Sequence, residues 1–216
     1  MPQTLARYQP HLTVLLLTPC LQTGYFNEGC EQLSSGRPSY AARCFQQAVD
    51  GGHAAAHAAL AFMHYGTYVG IPNDPGRIHE LACAGARMGC IHSKGALAAC
   101  FMEGVGAAKD YRRGVELAIE SAAAGSMYGQ HTLAVAHREG VDSSAPRDDA
   151  RAAVLFQLAA EQGEVHSLGW LAMMHLGGLG VPKSRDEALN VFTRAAAIGY
   201  QPAIRMLASL GQPWCE

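Results

Sequence analysis

Lysine is almost missing from this chain: Lys94, Lys109 and Lys183 are the only three in 216 residues. The remaining cations are arginines scattered among carboxylates, and the formal net charge is -2. Such a balance offers no field to attract nucleic acid or an anionic membrane surface. Aromatic residues make up only 7% of the chain and charged residues 16%. A β-sandwich would want Val, Ile, Thr and Tyr in quantity, and they are scarce. The seven cysteines (Cys20, Cys30, Cys44, Cys83, Cys90, Cys100 and Cys215) include no C-x-x-C pair, and no N-x-S/T sequon is present. An odd set without a pairing pattern reads as free, mostly buried thiols in a reducing compartment, which favours an intracellular location. The apolar run Leu12–Cys20 (LTVLLLTPC) falls well short of the roughly 20 residues of a membrane-spanning helix. It reads as a structural N-terminal helix or, since Arg7 precedes it, as an export signal whose Pro19 is poorly placed for processing.

What the chain has instead is small residues. Nearly half of it is hydrophobic (49%), with alanine dominant and 24 glycines, a composition that suits closely packed helices. The glycines are periodic. Gly52, Gly89, Gly125, Gly163 and Gly199 stand 36 to 38 residues apart. Eight residues after each lies a leucine (Leu60, Leu97, Leu133, Leu171, Leu207), and four after each a small residue (Ala56, Ser93, Gly129, Ser167, Ala203). A period of this length signals a helical solenoid whose units bury a continuous core by stacking. The clearest unit is Ser167–Gly199. An apolar helix runs through Leu168–Leu176, and Gly177, Gly178, Gly180 and Pro182 stop it. Ser184 and the early carboxylates Asp186 and Glu187 open a second helix, which Gly199 closes in a place that suits a left-handed cap.

The turn and second helix carry a family resemblance. Leu171, Ala172, His175, Gly178, Gly180 and Val181 are followed by Asp186, Ala188, Phe192, Ala195, Ala196 and Gly199. Leu97, Ala98, Phe101, Gly104 and Gly106 repeat the first half, as do Leu133, Ala134, His137, Gly140 and Val141. In these features the chain resembles the Sel-1-like repeats, α-helical relatives of the tetratricopeptide repeats, from about Gly24 to Leu210. The usual tyrosine is replaced by His64, Phe101, His137 and His175, and turn glycines by Thr67 and Asp142. The resemblance implies an adaptor in larger complexes or signalling assemblies. It does not carry over the regular cysteine pairing of some secreted members, because Cys83, Cys90 and Cys100 fall at different repeat positions. The expected fold is all-α, a right-handed α-α superhelix of about five helix-turn-helix repeats. Residues 1–23 form an N-terminal segment, 24–216 the solenoid, and 202–216 its C-terminal cap.

Ten histidines raise the question of a metal, and a hydrolase or metal-dependent enzyme using the repeat histidines is the alternative from another class. His64, His137 and His175 share one repeat position, yet stacked units lie about 10 Å apart, one helix diameter. One zinc needs ligand atoms near 2 Å. The expectation is that each ring replaces a tyrosine at the core edge and keeps its polar tip bonded. His53 and His57 share a helix face but lack a third ligand. His79-Glu80-Leu81-Ala82-Cys83 misses a zinc-protease helix by one histidine, and in GGLGVPKS Pro182 stands where a phosphate loop needs a backbone N–H. No catalytic set, cofactor or metal site is expected.

The charges are more informative. They crowd onto the second helix of each pair, which must form the wet layer, while the first helices are nearly uncharged. A helix turns about 100° per residue, so positions two and five beyond each core leucine lie opposite it. They are mostly apolar: Phe62, Ala99, Val135 and Met173, then Tyr65, Met102, Arg138 and Leu176, with Tyr128 on the same side. Either neighbouring first helices close over these residues, or they line an exposed groove for a peptide, helix or protein surface. The candidate partner-binding residues are therefore Phe62, Tyr65, Met102, Tyr128, Val135, Met173 and Leu176, in a non-enzymatic interaction scaffold.

Overall fold

The computed structural model describes residues 24–65, 71–141, 143–197 and 200–211. Leu12–Cys20, Gly66, Thr67, Asp142, Gly199 and Cys215 lie outside them. Among the described residues there are eleven helices and no strand, and 75% of those residues are helical, against a usual third for globular proteins. The helices are α1 Gly24–Ser34, α2 Pro38–Asp50, α3 Ala54–Tyr65, α4 Pro75–Arg87, α5 Ile91–Glu103, α6 Tyr111–Ala123, α7 Met127–Glu139, α8 Asp149–Glu161, α9 Val165–Gly177, α10 Arg185–Ala197 and α11 Gln201–Ser209. They form five consecutive pairs and a terminal helix, as the period requires. The chain divides into two compact units, Met1–Gly129 and Gln130–Glu216.

Four of the five second helices start the same way; α2, which follows Arg37, has no side-chain cap. The side chains of Asp74, Asp110 and Asp148 accept hydrogen bonds from the backbone N–H of Arg77, Arg113 and Arg151, and Ser184 Oγ accepts from Glu187. Each satisfies one orphan donor at a helix N-terminus. At the other end Gly52, Gly89, Gly125 and Gly163 all take positive φ, between 80° and 98°.

The two classes of helix differ in how they are buried. In α3 eight of twelve residues are buried and in α5 nine of thirteen, against four of thirteen in both α4 and α6. In the first unit α3 and α5 are thus an inner layer and α4 and α6 a wet one, while in the second α9 buries five of its thirteen residues, as many as α8 and α10. Every residue of the leucine column is at most 8% exposed: Leu60, Leu97, Leu133, Leu171 and Leu207. The small column is where helices touch. A Cβ on Gly129 would lie 2.6 Å from the backbone nitrogen of Ala122, and one on Gly95 would lie 2.5 Å from that of Gly129. Leu133→Ala or Leu171→Ala should each cost about 2–5 kcal/mol by leaving a cavity. Urea unfolding followed by circular dichroism reads that shift, and a loss below about 0.5 kcal/mol, the scale of a surface change, at both would contradict the packing.

Candidate functional site

The histidine column is structural. His64, His137 and His175 each direct Nδ1 at the carbonyl of a turn proline: Pro72 at 2.9 Å, Pro146 at 3.1 Å and Pro182 at 3.3 Å. A carbonyl only accepts, so Nδ1 carries the proton in all three. These rings hold the turn against the first helix, as the tyrosine slot would. His53 and His57 do not aim at a shared ligand. Nδ1 of His53 accepts from the N–H of Ala56, capping α3, and Nδ1 of His57 donates to the carbonyl of His53. Burial, with His57 beside it, lowers the pKa of His53. His79 and Cys83 face each other at 3.6 Å on the ordinary helix α4. No group of three or more potential metal ligands is found among the described residues.

In the first unit the apolar face is largely closed. Phe62 of α3 stacks on Tyr128 of α7, with ring centroids 3.4 Å apart and planes within 12°. Tyr65, which donates its hydroxyl to Glu103, packs at a tilt against Phe62, 6.2 Å away. Tyr128 is consequently only 9% exposed, and Met102, whose side chain lies against Gly114 of α6, only 4%, which corrects the expectation of an open groove at these two positions. Phe62 reaches a first helix two repeats on, across the small residues of α5, and a helix-by-helix angle calculation has no means of registering that. Phe62 and Tyr65 themselves stay half-buried.

The second unit is more open. Met173 is 43% exposed, while Val135 and Leu176 are half-buried. Val135 and Trp170 pack on a cluster around Phe156 and Met174; Leu176 packs on one around Leu171 and Phe192.

A cluster in the second unit has no counterpart among the residues singled out above. Glu164, the N-cap of α9, is 3% exposed. One of its oxygens accepts from the N–H and the Nδ1 of His166, at 3.2 and 2.8 Å. The other accepts from the N–H of Ser167 and from Nδ1 of His131, the latter at 3.0 Å. Burial alone would push this carboxyl up, but His131 and His166, by charge and hydrogen bond, hold it well below the usual carboxylate range. Burial and then the Glu164 charge raise the pKa of Tyr200. Ser167 Oγ lies 2.8 Å from His131 Nδ1, the same nitrogen that meets Glu164. A Ser-His-acid relay needs the two contacts on opposite ring nitrogens, and Ser167 is 0% exposed. The cluster therefore fixes α9 to α7 rather than activating a nucleophile. The available signal was the residue just after each repeat glycine, the cap position, where Glu164 stands in line with His53, Cys90, Ser126 and Tyr200.

The Sel1 repeat model matches residues 35–53, 54–77, 95–126, 128–164 and 166–200, most of the chain. The chain belongs to the Sel1 repeat family. No curated protein matches it. Among solved structures it resembles a Sel1 repeat protein from Oxalobacter formigenes (17% identity, TM-score 0.54), covering 92% of this chain and 82% of that one. A putative Sel1 repeat protein from Klebsiella pneumoniae is similar at 19% identity with a TM-score of 0.57, over 87% of this chain and 92% of the other. A protective antigen of uropathogenic Escherichia coli strains, displaying an SLR fold, shares 24% identity at a TM-score of 0.52, with 86% of this chain covered. The chain spans 40% of the length of that antigen. At these identities the likeness is one of Sel1 fold. Sel1 repeats generally mediate protein–protein interaction, and no described helix is long and apolar enough to cross a membrane.

Proposed function

We infer that this Sel1 repeat chain is a non-enzymatic interaction module that holds a peptide or protein segment on the inner layer of first helices, as a subunit of a larger complex. One observation carries the reading. Helix α9 contains no Asp, Glu, Lys or Arg, yet its Met173 is 43% exposed and its Trp170 only partly covered. A helix that faces only water would place charges there, and exposed apolar surface on a soluble fold marks a partner site. Val135 and Leu176 extend the surface in the second unit; Phe62 and Tyr65 offer a smaller edge in the first. The free thiols of Cys30, Cys44, Cys83, Cys90 and Cys100 support a reducing, intracellular setting.

Met173→Glu tests the reading against Val154→Glu, a change on the wet helix α8 at a residue 60% exposed. Both variants should keep wild-type stability to within about 0.5 kcal/mol, as exposed substitutions do. In affinity capture from the native source, Met173→Glu should lose the co-purifying chain and Val154→Glu should retain it. Retention by Met173→Glu would remove the inner layer as the binding face.

A further inference from the structure

The open face of the second unit is built from two parallel stripes. His131, Val135 and Arg138 stand at i, i+4 and i+7 on α7, and His166, Trp170 and Met173 at the same spacing on α9, so each set shares one helix face. The stripes run side by side. The rings of His131 and His166 are 6.1 Å apart by centroid, and the Arg138 guanidinium carbon sits 4.4 Å above the centre of Trp170. Among the described residues no carboxylate pairs with Arg138, whose recorded partner is the Trp170 ring. Glu164 faces the same stripes but is buried and engaged by both histidines. Glu139 follows Arg138 at about 100° round the helix. Helix α9 carries no charge, and α11 adds only Arg205.

We propose that this face binds a segment presenting an acidic side chain flanked by apolar residues, with the carboxylate on Arg138 and the apolar neighbours on Val135 and Met173. The proposal rests on the interaction-module reading and names the chemistry of its partner. An arginine stacked on an aromatic ring keeps its N–H edges free, and those edges match a carboxylate in bidentate geometry. Its attraction is strengthened where the surrounding surface excludes water. The side-chain source, rather than a chain terminus, follows from the apolar positions on both sides of the cation. Val135 precedes Arg138 on α7, and Leu176 continues the Met173 row on α9. A terminal carboxylate would end the segment at Arg138 and leave the far side uncovered.

The test uses the full chain and an array of acetylated, amidated peptides. In them a central Glu, Gln or Lys is flanked by each pairing of Leu, Ile, Val, Met and Phe. Binding of fluorescein-labelled members is read by fluorescence polarisation. Glu peptides should bind at least about tenfold more tightly than their Gln partners, roughly 1.4 kcal/mol, and Lys peptides should not bind. Arg138→Gln should erase the Glu preference with an unchanged melting temperature. If that variant is destabilised, Arg138→Lys, which keeps charge but not the planar fork, should narrow the Glu–Gln gap instead. Met173→Glu should weaken every peptide. Equal binding of Glu, Gln and Lys peptides, or a Glu preference that survives in both Arg138 variants, overturns the acidic assignment and leaves the interaction reading standing. No binding by any peptide also overturns this proposal, and capture by Met173→Glu then decides the interaction reading independently.

Discussion

Gly106→Ala will destabilise the chain by about 2–5 kcal/mol, whereas Gly89→Ala, a change of the same chemistry, will cost about 1–2 kcal/mol. The contrast isolates one contact. Both glycines take left-handed backbone, φ +66° at Gly106 and φ +80° at Gly89, so both variants incur the strain of an L-residue there. Around Gly89 nothing lies within 4 Å of an added Cβ, while at Gly106 that atom would sit 2.1 Å from the carbonyl oxygen of Pro75 and 2.6 Å from His79 Cβ. Proline 75 opens α4, so the turn after α5 presses backbone to backbone on the start of the preceding second helix. Gly180 makes the equivalent approach in the second unit, 2.1 Å from the carbonyl oxygen of Asp149 at φ +66°. Gly180→Ala should therefore fall with Gly106→Ala. Urea midpoints of the three variants, followed by far-UV circular dichroism, give the comparison. Equal losses at Gly89 and Gly106 would show that the close approach is dispensable.

Glu164→Gln, nearly isosteric, should cost about 3–5 kcal/mol at neutral pH, the scale of a broken buried ion pair. Each carboxylate oxygen receives two donors: the N–H and Nδ1 of His166 on one side, the N–H of Ser167 and Nδ1 of His131 on the other. Whichever way the amide turns, its NH₂ group meets a backbone N–H, of His166 or of Ser167, that can only donate and is left unsatisfied. Glu164→Ser should recover only the capping share, about 1 kcal/mol. The pH dependence has a definite sign. The Glu164 carboxyl is held below its ordinary range in the fold. Its stabilisation is therefore complete above the unfolded value, near 4.3, and is lost as pH falls from there through the depressed folded value. The gap between wild type and Glu164→Gln should be full at pH 7 and shrink below about pH 4. A gap that stays constant down to pH 2.5 would mean the carboxylate is not the stabilising form.

The period made the architecture legible because a stacked array repeats its spatial constraints at fixed intervals. A core leucine, a small contact residue and a left-handed glycine must recur wherever the same contact recurs. The histidine column was readable for the same reason: wherever a histidine fills the tyrosine slot, at His64, His137 and His175, its ring meets the carbonyl of a turn proline. The Glu164 cluster was not readable, since His131 reaches it from a different helix and has no equivalent at its repeat position elsewhere. Nor was the choice between closure and groove at Tyr128. Helical periodicity says which side of a cylinder a residue occupies. It does not say that Phe62, two repeats away, is long enough to lie on Tyr128.

The pressure of Gly106 on Pro75 and of Gly180 on Asp149 also sets the natural exchange unit of the array. Cutting the chain at the glycines that end each second helix would separate a turn from the backbone it leans on. The block that carries its own contacts is offset by half a period: a second helix, the following first helix and the turn beyond it, as in 149–184. Chimeras or added copies joined at such offset seams would inherit matched surfaces, whereas grafts joined at Gly163 would have to rebuild one.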